Sequence, residues 1–90
     1  MFVGLEDGLN FSIRLHPNPS NGRFFIVSEN HLHDVRFRIV DMLGKVHFTD
    51  QISRLHVSHE VSTTGISDGI YLVHIEAGGN NYLRKLVIRK

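Results

Sequence analysis

The sequence predicts an all-β fold, an antiparallel β-sandwich of about seven strands. Apolar residues recur with a period of two, and no segment sustains a helical stripe over even ten residues. Turn-forming clusters punctuate the chain at roughly 8–12-residue intervals, the rhythm of a small sandwich. The segment Ile66-Ser67-Asp68-Gly69-Ile70-Tyr71 has the form of a tyrosine corner. There a Tyr follows a Gly at the start of a strand, bonds upstream backbone through its hydroxyl and packs its ring over the corner. That motif makes the expected sandwich immunoglobulin-like.

The elements follow in chain order. Phe11, Ile13 and Leu15 alternate with Ser12, Arg14 and His16, which predicts a strand with one apolar face. His16-Pro17-Asn18-Pro19-Ser20-Asn21-Gly22 holds both prolines of the chain. Each lacks an N–H and biases its predecessor to extended geometry, so this segment is expected to leave the sheet. Asn21-Gly22 can take positive φ and turn the chain into the next strand. Gly22–Ser28 and Gly69–Ile75 are more continuously apolar, which predicts central strands buried on one face and partly covered on the other. His31-Leu32-His33 falls in an expected loop. Val35, Phe37 and Ile39 alternate with Arg36 and Arg38 ahead of Asp41, the clearest half-buried strand. Asp41-Met42-Leu43-Gly44-Lys45 fits a short hairpin loop with Gly44 in the left-handed region. Leu55, Val57 and Val61 are expected on one strand face, with His56, Ser58, Glu60 and Ser62 on the other. Gly78-Gly79-Asn80-Asn81 is a tight turn between the last two strands, the second of which runs from Tyr82 to Lys90. The core is expected to include Phe11, Ile13, Leu15, Val35, Phe37, Ile39, Leu72 and Val87.

Ninety residues suffice for one small core. The chain reads as a lead-in or linker remnant over residues 1–10 and one domain over residues 11–90. There is no cysteine, so no disulfide stabilises it. Ten Lys and Arg against nine Asp and Glu give a formal charge of +1 with no basic stripe, which argues against nucleic acid. No apolar run approaches the roughly 20 residues that cross a bilayer, and Met1–Asn10 lacks the pattern of a secretory signal peptide.

Candidate chemistry is thin. Seven histidines invite a metal hypothesis, through the pairs His31/His33 and His56/His59. Zinc, however, needs three or four convergent ligands, and H-x-x-H on a strand sends its rings to opposite faces. No metal site is expected. No G-x-S-x-G elbow is present, Asp41, Asp50, Glu60 and Glu76 sit on polar faces or in turns, and Gly78-Gly79 lacks the context of a phosphate loop. Neither a catalytic residue nor a cofactor is expected. The final strand, Tyr82-Leu83-Arg84-Lys85-Leu86-Val87-Ile88-Arg89-Lys90, reads either as a closing edge strand protected by its cations or as an exposed basic recognition element. Lys85 and Lys90 are expected at solvent-facing or terminal positions.

Four segments in register resemble one family: Pro17-Asn18-Pro19-Ser20-Asn21-Gly22, Ile39-Val40-Asp41-Met42-Leu43-Gly44-Lys45, Asp68-Gly69-Ile70-Tyr71-Leu72-Val73, and Lys85-Leu86-Val87-Ile88-Arg89-Lys90. Over about residues 11–90 the chain is similar to a type A C-terminal sorting domain of the type IX (Por) secretion system of Bacteroidota. The resemblance implies a secretion signal with no activity of its own, attached to an upstream cargo that has its own signal peptide. It implies transit through the periplasm, recognition by the outer-membrane translocon, removal by a sortase-like peptidase, and surface attachment or release. It also implies a monomer that neither inserts in a membrane nor needs a cofactor. Its sorting-motif candidates are Pro17, Asn18, Pro19, Gly22, Asp41, Gly44, Lys45, Gly69, Tyr71, Lys85, Leu86, Val87 and Lys90. The competing reading is an immunoglobulin-like or fibronectin-like accessory module that binds carbohydrate or spaces catalytic domains. Against it, the chain has no Trp and only two Tyr.

Overall fold

Seven strands account for the period-two pattern over residues 13–90, the residues described by the structure, a computed structural model. They are β1 (Ile13–His16), β2 (Arg23–Ser28), β3 (Leu32–Asp41), β4 (Val46–Leu55), β5 (Ser58–Ser62), β6 (Gly69–Ala77) and β7 (Asn80–Ile88). They form two antiparallel sheets in the orders β1-β2-β5 and β4-β3-β6-β7. The chain passes between the sheets after β2, β4 and β5. As expected from their apolar runs, β2 and β6 are interior strands.

The core lies between the sheets. Phe24 and Ile26 from β2 and Val61 from β5 meet Val35, Phe37 and Ile39 from β3, Val73 and Ile75 from β6, and Leu86 and Ile88 from β7. Each such side chain, fully buried, contributes about 1.5–3 kcal/mol relative to exposure. Ile13, Val35, Phe37 and Ile39 are buried as expected, and Leu15 packs half-buried against the cluster. Phe11 and the lead-in residues 1–10 lie outside the described residues.

Three expectations are corrected. Leu72 and Val87 are half-buried on the outer face of the four-stranded sheet. Their neighbours Tyr71, Val73, Leu86 and Ile88 take the inward positions instead. Tyr71 must face inward to form its corner, and strand alternation then turns Leu72 outward. The ladder of β6 with β7 passes the same parity to Val87. Second, Leu55, Val57 and Val61 do not share a strand face. Leu55 ends β4, Val61 belongs to β5, and Val57 sits at φ +73° with 57% exposure in the crossover between sheets. Its carbonyl is used there, accepting the Ser28 N–H at 2.8 Å. Third, Leu32 and His33 open β3 rather than a loop, pairing with Leu55 and Arg54.

The edge where β7 meets β1 is closed by Arg84. Its place on β7 shares the inward parity of Tyr82 and Leu86, and its Nε donates to the carbonyl of Ile13 at 2.8 Å.

Candidate recognition site

The proline segment does leave the first sheet, and it docks on the free edge of the second. A stretch with prolines at 17 and 19 cannot supply a regular ladder of N–H donors. The carboxamide of Asn18 provides both groups instead. Its Nδ2 donates to the Lys85 carbonyl at 2.7 Å, and its Oδ1 accepts the Val87 N–H at 2.9 Å. Two residues on, the Ser20 N–H donates to the Val87 carbonyl at 2.7 Å and the Arg89 N–H donates to the Ser20 carbonyl at 2.8 Å. Four outward backbone groups of residues 85–89, which an edge strand would leave open, are thereby paired. Ser20 is fully buried and its Oγ donates to the Arg23 carbonyl at 2.8 Å. Gly22 then turns the chain at φ +146°, its carbonyl accepting the Thr63 N–H at 3.0 Å.

The tyrosine corner is formed. The Tyr71 hydroxyl donates to the Ser67 carbonyl at 2.6 Å, and its buried ring lies over Gly69. The His47 ring stands edge-on to it, with centroids 5.3 Å apart. His47 Nε2 lies 2.9 Å from Asp41 Oδ2. Asp41 organises the hairpin between β3 and β4: its Oδ1 accepts the N–H groups of Leu43 and Lys45 at 2.8 and 2.9 Å. The Gly44 N–H closes on the Asp41 carbonyl at 3.0 Å, and the φ of +90° that Gly44 adopts then returns the chain so that the Asp41 N–H meets the Lys45 carbonyl at 2.9 Å. The hydrogen bond from His47, reinforced by the Lys45 N–H, holds the Asp41 carboxyl below the usual aspartate range.

These separate devices stand at one end of the four-stranded sheet. Asp41 is opposite Tyr71 and Tyr71 opposite Leu86; in the next row Val40 is opposite Leu72 and Leu72 opposite Lys85. Asn18 extends that row past the edge. Lys90 adds a further tie: its N–H donates to Asp68 Oδ1 at 3.1 Å, and its Nζ to the carbonyls of Ile66 and Thr63 at 2.8 and 3.1 Å. Lys90 is terminal and exposed as expected, and its ammonium also anchors the loop before β6. Lys85 is exposed as expected, and so are Lys45, Pro17 and Pro19. Leu86 is fully buried and offers nothing to a partner.

Sequence reasoning missed Ser20 as a bridge to β7, His47 as the partner of Asp41, and Arg84 as the link to β1. Of these only Arg84 had a signal, and an indirect one: an inward Tyr71 sets the parity of β7 that turns Arg84 toward the core, where an arginine needs a partner. Among the described residues, no three His, Asp or Glu side chains converge to hold a metal ion. His31 and His56 meet with ring centroids 4.0 Å apart at the start of β3 and the crossover after β4.

The model of a protein family described as the secretion system C-terminal sorting domain matches residues 14–89. No curated protein matches the chain.

Proposed function

The chain belongs to the family of C-terminal sorting domains and carries the sorting signal for type IX secretion, and from that premise we propose that the outer-membrane translocon recognises the folded sheet end where its four motifs meet. Such a domain is not itself catalytic, and it directs export to the cell surface or the extracellular space. In this reading residues 11–90 fold as one unit in the periplasm, behind a cargo that supplies any activity. A sortase-like peptidase then separates the two. The observation that carries the reading is the clamp of Asn18 and Ser20 on residues 85–89. It joins the first and last motifs into one surface, so a receptor meets a shaped end and not a loose basic tail.

A photo-crosslinking residue at position 89, in a cargo fusion arrested before export, tests the partner. Adducts with outer-membrane components of the translocon are the expected result. Adducts confined to periplasmic chaperones or inner-membrane proteins would contradict it. The carbohydrate-binding module is not favoured, since the family match assigns residues 14–89 to sorting.

A further inference from the structure

One end of the outer face of the four-stranded sheet is apolar where a face meeting only water would be polar, while Arg36, His74 and Glu76 occupy the other end. With Phe37, Ile39, Tyr71, Val73, Leu86 and Ile88 turned inward, the alternate residues Val40, Ile70, Leu72, Leu83 and Val87 point away from the core. Val46 stands opposite Val40, Val40 opposite Leu72, and Ile70 opposite Val87, so the apolar side chains run across all four strands. Val46, Ile70 and Leu83 are 47%, 48% and 56% exposed. Val40, Val46 and Leu83 line a shallow groove there, with Arg38 at its margin. A contiguous exposed patch of this kind marks an interaction surface.

Charge on the same face narrows the occupant. Arg38 and Lys85 flank the apolar stripe, and neither has a carboxylate partner among the described residues. Farther along the face Arg36 stands opposite Glu76, a carboxylate that no ion pair among the described residues engages. A second copy laid face to face would bring uncompensated cations together. The secretion machinery that the family match implies is made of protein, which favours a protein over a lipid surface as the occupant. Within the motif at residues 85–87, Lys85 and Val87 face this side while Leu86 is sealed in the core.

We infer that this outer face is the docking surface for a protein partner that presents an apolar strip rimmed by carboxylates. The inference rests on the sorting reading and gives its contact a place and a chemistry. Val40, Leu72 and Val87 supply apolar contact in the middle, Ile70 and Leu83 are exposed anchors, and Arg38 and Lys85 meet the carboxylate rim.

The test uses residues 1–90 fused to each of two unrelated periplasm-directed reporters, in a bacterium with the type IX machinery. Leu83→Glu and Ile70→Glu should each lower export by about tenfold or more, as expected when an apolar anchor is replaced by charge. Arg38→Glu with Lys85→Glu should do the same, and Arg38→Lys with Lys85→Arg should restore most of it. Val57→Glu, an equally exposed apolar position off this face, should export like the parent. The melting temperatures of the purified domains should stay within about 2 °C of the parent. Normal export of a folded Leu83→Glu variant overturns the inference while leaving the sorting reading intact; a parent fusion that stays in the periplasm overturns both. A fall of more than about 5 °C for Leu83→Glu would show that the chain itself covers this face, and so would also overturn it. A dimer in sedimentation that Leu83→Glu abolishes would assign the face to a second copy. Co-sedimentation of the parent, but not of Leu83→Glu, with phosphatidylcholine–phosphatidylglycerol vesicles would assign it to a lipid surface.

Discussion

The side chain of Asn18 pairs with β7 as a neighbouring strand would, accepting the Val87 N–H at 2.9 Å while donating to the Lys85 carbonyl two residues earlier at 2.7 Å. Asn18→Ala removes both bonds and leaves two edge groups of β7 to water, so it should cost about 1–2 kcal/mol in urea unfolding. Asn18→Asp keeps the acceptor but sets a carboxylate against the Lys85 carbonyl, and should be less stable than Asn18→Ala at neutral pH. Equal stability of all three proteins would show that the clamp carries no energy.

Tyr71→Phe deletes the bond to the Ser67 carbonyl and leaves the ring in place. Its expected cost is about 0.5–1.5 kcal/mol, measured by urea or thermal unfolding. An unchanged stability would mean that the hydroxyl gains nothing over water.

Phe37 is 2% exposed and contacts the rings of Phe48 and His59. Phe37→Ala removes a buried ring and leaves a cavity, for an expected loss of about 3–5 kcal/mol. Phe37→Leu, closer in volume, should lose distinctly less.

The Asp41 carboxyl is held below its ordinary value of 3.8 by His47 and by the Lys45 N–H. A carboxylate with a lowered folded-state pKa adds stability that is complete above that ordinary value and is lost as the pH falls through the lowered one. Stability should therefore decline on acidification across this window, and Asp41→Asn should flatten that part of the profile. Parallel profiles for the two proteins would contradict the assignment.

Local devices were legible in the sequence, and distant ones were not. The Tyr71 corner closes over four residues and the Asp41 loop over four, so the residue types alone announce them. Asn18 meets β7 across 67 and 69 residues, and Lys90 reaches back 24 and 27. Nothing local encodes such pairings, although the proline spacing does show that the segment must leave its own sheet. The misplacement of Leu72 and Val87 has a different origin. Period two tells which residues share a face, but on β6 and β7 both faces are apolar, and only the inward commitment of Tyr71 decides which one enters the core. The expected Leu55–Val61 face failed because apolar alternation ran across a sheet crossover, where Val57 takes a left-handed backbone that few would assign to a β-branched residue.

If the sorting reading holds, this domain is sufficient to send a protein out by the type IX route. The most direct measurement of that sufficiency is the partition of a periplasm-directed reporter carrying residues 1–90, in a type IX-competent strain and in the same strain lacking the translocon. Reporter is expected at the cell surface or in the medium of the first strain and in the periplasm of the second. Reporter retained in the periplasm of both strains, with the domain folded, would contradict it.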